Sequence, residues 1–171
     1  QTCALPILEI PGEYIASVLD ISVPKMKKNP ETARALMRAL AVNISQAPKY
    51  ATLAADMAYG DERREPDTQT VKSYLEMFKD LYLLTDLEGW EPPLRAKSRV
   101  RTKPKRYFVD PSLPAAVLGA APNTLMRDTQ TLGDLFETLC IRDLNVYLSA
   151  MPGAGNRIAY YRDDKGLEVD V

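Results

Sequence analysis

Three successive apolar stripes at helical spacing, all within residues 29–84, constrain this chain more than any other feature. Ala33, Leu36, Met37, Leu40, Ala41 and Ile44 recur every three or four positions, which places them on one face of a helix. Asn29-Pro30-Glu31 supplies the start: a side-chain cap, then proline at the first helical position, where a missing N–H costs nothing. Ser45 to Pro48 breaks the pattern, and Tyr50, Leu53, Ala54 and Met57 predict a short second helix ending near Tyr59-Gly60. After a polar loop from Asp61 to Pro66, Asp67 or Thr68 caps a third helix, striped by Val71, Tyr74, Leu75, Phe78, Leu81 and Tyr82 up to about Leu84. Apolar faces this close in sequence must be buried against one another, so a small helical unit is expected.

Strand-like residues follow. Leu83 to Trp90 is closed by Gly89 and the Pro92-Pro93 pair, and a second extended run, Arg106 to Val109, lies beyond a basic segment. Helix, turn, helix, then hairpin is a winged-helix plan, assigned to residues 29–109. Within it, Ala51 to Ala58 is the first helix of the motif and Thr68 to Leu83 the recognition helix. Gln69, Lys72 and Ser73 would face a nucleic-acid groove.

The segment between the strands, Arg95 to Arg106, holds seven cations in twelve residues and no acid. On a hairpin arm, Arg95, Lys97, Arg99, Arg101, Lys103 and Lys105 could contact phosphates, each contact adding a salt-dependent increment. With 22 Lys and Arg against 23 Asp and Glu in the whole chain, the other reading is a solvated loop balanced by acids elsewhere.

The second half changes grammar. Asp110-Pro111-Ser112-Leu113 opens a short helix to about Leu118-Gly119, and Leu132, Leu135, Phe136, Leu139, Leu144 and Tyr147 mark a longer one to Leu148. Arg157 to Arg162, an Asp163-Asp-Lys-Gly166 turn and Leu167 to Val171 then read as a hairpin. The fold class is therefore α+β. Gly153-Ala-Gly155 is not followed by Gly-Lys-Ser/Thr, so ATP binding within these residues is not expected.

Composition decides which chemistry remains. The 171 residues contain no histidine, which excludes Ser-His-Asp and Cys-His catalysis and histidine-ligated metals. The two cysteines cannot build a disulfide framework, and Cys140 reads as a small core thiol. Carboxylates, lysine or a hydroxyl are left, with an oxygen-loving ion such as Mg²⁺ as the metal. No apolar run approaches the roughly 20 residues of a membrane span, and no secretory signal opens the chain, so a cytoplasmic location without a membrane partner is expected.

Glu137 on the long helix and Asp170 on the last strand both lie among apolar neighbours, where an acid is costly unless paired or metal-bound. A helix Glu and a strand Asp are two parts of a restriction-endonuclease-like Mg²⁺ site, completed by an acid and a lysine on a following strand. Strand alternation puts Asp170 on the face of Glu168, directed either toward that site or into solvent.

The succession Lys103-Pro-Lys-Arg-Tyr-Phe-Val-Asp-Pro-Ser-Leu113, then Leu135-Phe-Glu137 with Arg142-Asp-Leu144, then Tyr161-Arg162 and Gly166-Leu-Glu-Val-Asp170 resembles the C-terminal portion of prokaryotic AAA+-superfamily ATP-binding proteins. The resemblance covers about Pro11 to Val171. It implies an upstream ATPase domain that binds ATP and Mg²⁺, a winged helix, and the beginning of a restriction-endonuclease-like module over residues 110–171, with Glu137 and Asp170 as the matching positions. Residues 8–28 would then be a linker or helix from the ATPase domain, which is also the expected partner. Residues 1–7 read as a translated sequencing adapter, and the chain is expected to be a fragment of a longer protein. Three functions follow as expectations: a DNA-associated or regulatory module without its ATPase domain, a metal-dependent nuclease-like domain that is incomplete here, or a protein interaction module with no catalysis.

Overall fold

The computed structural model describes residues 5–59, 65–90, 103–153, 157–163 and 166–170, with side chains from residue 9 onward. Helix α1 (Leu5–Ser17) runs through a π-helical turn (Val18–Ser22) into α2 (Val23–Lys25). The three striped segments follow as α3 (Pro30–Val42), α4 (Tyr50–Ala58) and α5 (Thr68–Asp80). Asn29 caps α3, its Oδ1 accepting the N–H groups of Glu31 at 2.8 Å and Thr32 at 3.2 Å. Asp67 caps α5 by accepting from Thr70 N at 2.6 Å, a bond that holds its carboxyl below the usual range.

The third stripe ends sooner than the periodicity predicts. Leu83 N–H closes back onto Phe78 C=O at 2.9 Å, with Tyr82 in the left-handed region at φ 54°. This six-residue closure satisfies a terminal carbonyl and turns Leu83 and Leu84 into the core instead of along the helix.

Strands β1 (Leu84–Leu87) and β2 (Lys105–Phe108) pair antiparallel, with Leu84 opposite Phe108 and Leu87 opposite Lys105. Alternation gives this ribbon two different faces. Leu84 and Phe108 join the main core with Leu36, Leu53 and Phe78, each such side chain contributing about 2 kcal/mol by leaving water. Leu87 and Tyr107 join a smaller cluster with Ile141 and Tyr160.

Helix α6 (Ser112–Leu118) stops at Gly119, whose φ of 63° suits a residue without Cβ. A four-residue turn, α7 (Pro122–Leu125), leads to α8 (Thr129–Ala150), and the chain closes with a second antiparallel pair, β3 (Tyr161–Arg162) and β4 (Glu168–Val169). Helix α8 is anchored by Ser45 Oγ donating to Asp134 O at 3.1 Å and by the Arg142–Asp110 ion pair at 2.7 Å. Its inward face differs from the expected one. Leu135, Thr138 and Ile141 are buried, while Phe136 is 63% exposed and Leu132, Leu144 and Tyr147 also face outward. Thr138 tolerates burial because its hydroxyl donates to Asp134 O one turn back.

Among the described residues the architecture is mixed α+β, mostly helical, with two small antiparallel sheets. Among the described residues no helix is long and apolar enough to cross a membrane.

Candidate functional site

Strand alternation in β2 points Lys105 and Tyr107 to the same side, toward α8. There α8 contributes Glu137, β4 contributes Glu168, and Asp170 follows β4. The Lys105 ammonium lies 2.8 Å from Asp170 Oδ1, 3.1 Å from Glu168 Oε1 and 3.4 Å from Glu137 Oε1. It also sits 5.5 Å from the centre of the Tyr160 ring. Tyr107 Oη donates to Glu137 Oε1, and Arg162 reaches the other oxygen of Glu168 at 3.4 Å.

Lys105 is only 4% exposed. Burial alone would favour its neutral form, but hydrogen bonds to Asp170 and Glu168 and the field of Glu137 outweigh it and raise its pKa above the ordinary lysine value. Burial pushes the Glu137 carboxyl above the usual range, an effect that Tyr107 and Lys105 only partly oppose. Tyr107 is held protonated far into alkali by its own burial and by the carboxylate it serves.

Glu137 and Asp170, expected as a metal pair, thus converge on one point, with Glu168 beside Asp170 on the same strand face. A tethered ammonium stands at that point. Among the described residues no cluster of three or more acidic or thiol side chains is arranged to hold a metal ion. Lys105, expected on a phosphate, is buried among carboxylates. Tyr107 and Tyr160 were not anticipated; the Lys105-x-Tyr107 alternation on a strand was the available signal.

Other residues expected to contact nucleic acid lie near a cleft on the opposite face of the ribbon. A cleft of about 430 Å³ opens between the start of α4, the exposed side of α5 and the β1–β2 pair. Among the described residues five cations line it, Lys49, Lys72, Lys79, Lys103 and Arg106, against two acids, Glu76 and Asp86. Gln69 and Lys72 are exposed one turn apart on α5, and Lys103 is exposed at the foot of β2. Lys79 pairs with Asp86, whereas Lys72 only approaches Glu76 at 4.0 Å. The Arg106 guanidinium lies 5.3 Å from the Tyr50 ring centre and donates to Pro48 O at 3.1 Å. Asp86 Oδ1 and Arg106 Nε are buried in the cleft wall with no hydrogen-bond partner among the described residues. Arg95, Lys97, Arg99 and Arg101 fall outside the described residues.

A second cleft, about 480 Å³, is floored by Ile15, Leu19, Met37 and Met57 between α1, α3, α4 and α6. Its Arg34 and Arg38 stand with Glu31 and Asp56, so its charge is mixed.

Against known proteins, a family model described as a domain of unknown function (DUF8612) matches residues 10–124, about two thirds of the chain. That span contains both clefts and both strands of the first ribbon, whereas α8 and the second hairpin lie beyond it. No curated protein and no solved structure matches the chain. The family description names no activity, and no comparison ties the chain to AAA+ ATPases or to restriction-endonuclease-like folds.

Proposed function

We propose for this chain, which belongs to the DUF8612 family, a role as a nucleic-acid-associated regulatory module, engaging duplex DNA through a winged-helix arrangement. The order α3, α4, α5, β1, β2 supports that arrangement, with α5 as the recognition helix and the β1–β2 connection as the wing. The observation that carries the reading is the gathering of five cations against two acids in one cleft, on a chain whose net charge is −1. Charge this asymmetric in one concave place builds a local positive potential that the overall composition hides. Two unpartnered polar atoms in the cleft wall, each costing about 1–3 kcal/mol while unsatisfied, add a reason for a polar ligand or ordered water there. Gln69 and Lys72 supply the groove-facing contacts, and Lys103 with Arg95, Lys97, Arg99 and Arg101 supplies phosphate contacts from the wing. Lys105 contributes little, because three carboxylates already hold it.

In this reading ATP and Mg²⁺ belong to an ATPase partner domain, since the sequence has no Gly-rich loop leading into Lys-Ser/Thr. The test is fluorescence anisotropy with a labelled duplex at low salt. Saturable binding, weakened by Lys72→Glu and Lys103→Glu, is expected. Absence of binding would favour the interaction-module reading.

A second reading, a metal-dependent nuclease-like domain, is favoured by one observation: Glu137, Asp170 and a lysine meet at one place. An ion entering there would have to displace or share the ammonium. Mg²⁺- or Mn²⁺-dependent nicking of supercoiled DNA that disappears in Glu137→Gln would support it. Nicking that persists unchanged in Glu137→Gln would end it for these residues.

A further inference from the structure

Helix α8 carries side chains for packing on two opposite sides, and its own chain uses one of them. Leu135, Thr138 and Ile141 are buried on that side. On the other, Leu132, Phe136, Tyr147 and Met151 are exposed among the described residues, Phe136 at 63% and Tyr147 at 62%. With Cys140 and Asp143 between them, the six positions follow at spacings of 4, 4, 3, 4 and 4 residues. At 3.6 residues per turn they stay within about 100° of the helix circumference, which makes one continuous stripe along α8.

The spacing is the same read from either end. A helix that meets a second copy of itself antiparallel across a two-fold axis needs this property, because residue i contacts j and j contacts i. With the axis midway between Cys140 and Asp143, Leu132 meets Met151 of the second copy and Phe136 meets its Tyr147. Gly133 and Ala150 are opposed in the same register, so small residues meet where two backbones approach. Glycine weakens a helix interior relative to alanine, and a Cβ at Gly133 would meet no described atom within 4 Å, so packing within one chain gives no reason for it. Asp143 is the charged member of the stripe, and Arg142 of its own chain neutralises it at 2.9 Å. One polar group in an apolar helix seam fixes register at some cost in affinity. Aromatic side chains carry about 150–250 Å² each, so the stripe offers about 500 Å² per copy, and two copies reach the roughly 1,000 Å² floor of a specific interface.

We infer that the outer stripe of α8 is a homodimer interface, which pairs antiparallel with the same stripe of a second copy. It lies outside the residues that the family model matches, and it is independent of the nucleic-acid reading above.

Sedimentation equilibrium of the full chain in reducing buffer tests it, over about 5–500 μM, the range suited to a small, weak interface. The mass is expected to rise from one chain to two. Phe136→Lys and Tyr147→Glu should each weaken association about tenfold or more, because each sets a charge against apolar carbon. Both residues are mostly exposed in the single chain, so melting temperatures at high dilution should stay at the wild-type value. An equimolar mixture of the two variants should associate more tightly than either alone. In the antiparallel register the introduced lysine meets the introduced glutamate, and the second Phe136–Tyr147 contact is intact. A wild-type mass of one chain across the whole range, or association that neither variant weakens, would overturn the inference. Two weakened variants whose mixture recovers nothing would overturn the antiparallel register on which it rests.

Discussion

The Lys105 ammonium lies 2.8 Å from Asp170 Oδ1, sixty-five positions later in the chain. That contact, with Glu137 and Glu168 completing it, ties β2 to α8 and to the final hairpin. The three carboxylates keep 21%, 32% and 57% of their side-chain surface, against 5% for the lysine. The acids can therefore rehydrate if the lysine is removed, which bounds what the cluster contributes.

Replacing Lys105 by Met keeps the volume and removes the charge. An expected loss of about 3 kcal/mol, at the low end for breaking a buried ion pair because the acids remain partly wet, should appear in urea denaturation. A loss below about 1 kcal/mol would show that Lys105 behaves as a surface pair despite its burial.

Alkali should loosen the same cluster. Lys105 and Tyr107 both have folded pKa values raised above their ordinary 10.5 and 10.0. A raised pKa means that the protonated form is favoured by folding. Their contribution is therefore complete below about pH 10 and lost as pH rises through the folded values. Melting temperature should fall across that window in the wild type and fall less steeply in Lys105→Met. Parallel curves would refute the linkage.

Tyr82 closes α5 in the left-handed region with its side chain almost fully exposed. Few contacts would be lost by removing it, and the backbone conformation favours glycine. Tyr82→Gly is expected to stabilise the fold by about 0.5–1 kcal/mol, the relief of strain exceeding the extra chain entropy. Thermal denaturation checks the sign, and a destabilised variant would mean that the ring packs in solution.

The legible features were local ones. Asn29 and Asp67 announce their helices because a cap and its recipients lie within three residues, and the α3 and α5 stripes each fit one helical face. Helix α8 was read one position out of phase, because its apolar residues cover too much of the circumference to choose a face and the buried Thr138 looks polar. Glu137 and Asp170 stood out as acids in apolar company, but what neutralises them did not. Lys105 belongs by sequence to a run of cations, and only the pairing of Leu87 with Lys105 turns it away from that run and toward acids 32 to 65 residues distant. The cleft needed the same information, since Lys49, Lys79 and Arg106 come from three separate elements.

The salt dependence of duplex binding tests the central proposal most directly, because each phosphate contact contributes about 0.9 to the slope of log affinity against log salt. The wild-type chain is expected to give a slope of about −3 or steeper, and the triple variant Lys49→Ala, Lys72→Ala, Lys103→Ala a slope shallower by about 2 to 3 at unchanged melting temperature. No detectable binding at about 50 mM salt, or a slope that the triple variant leaves untouched, would contradict the assignment of the cleft to nucleic acid.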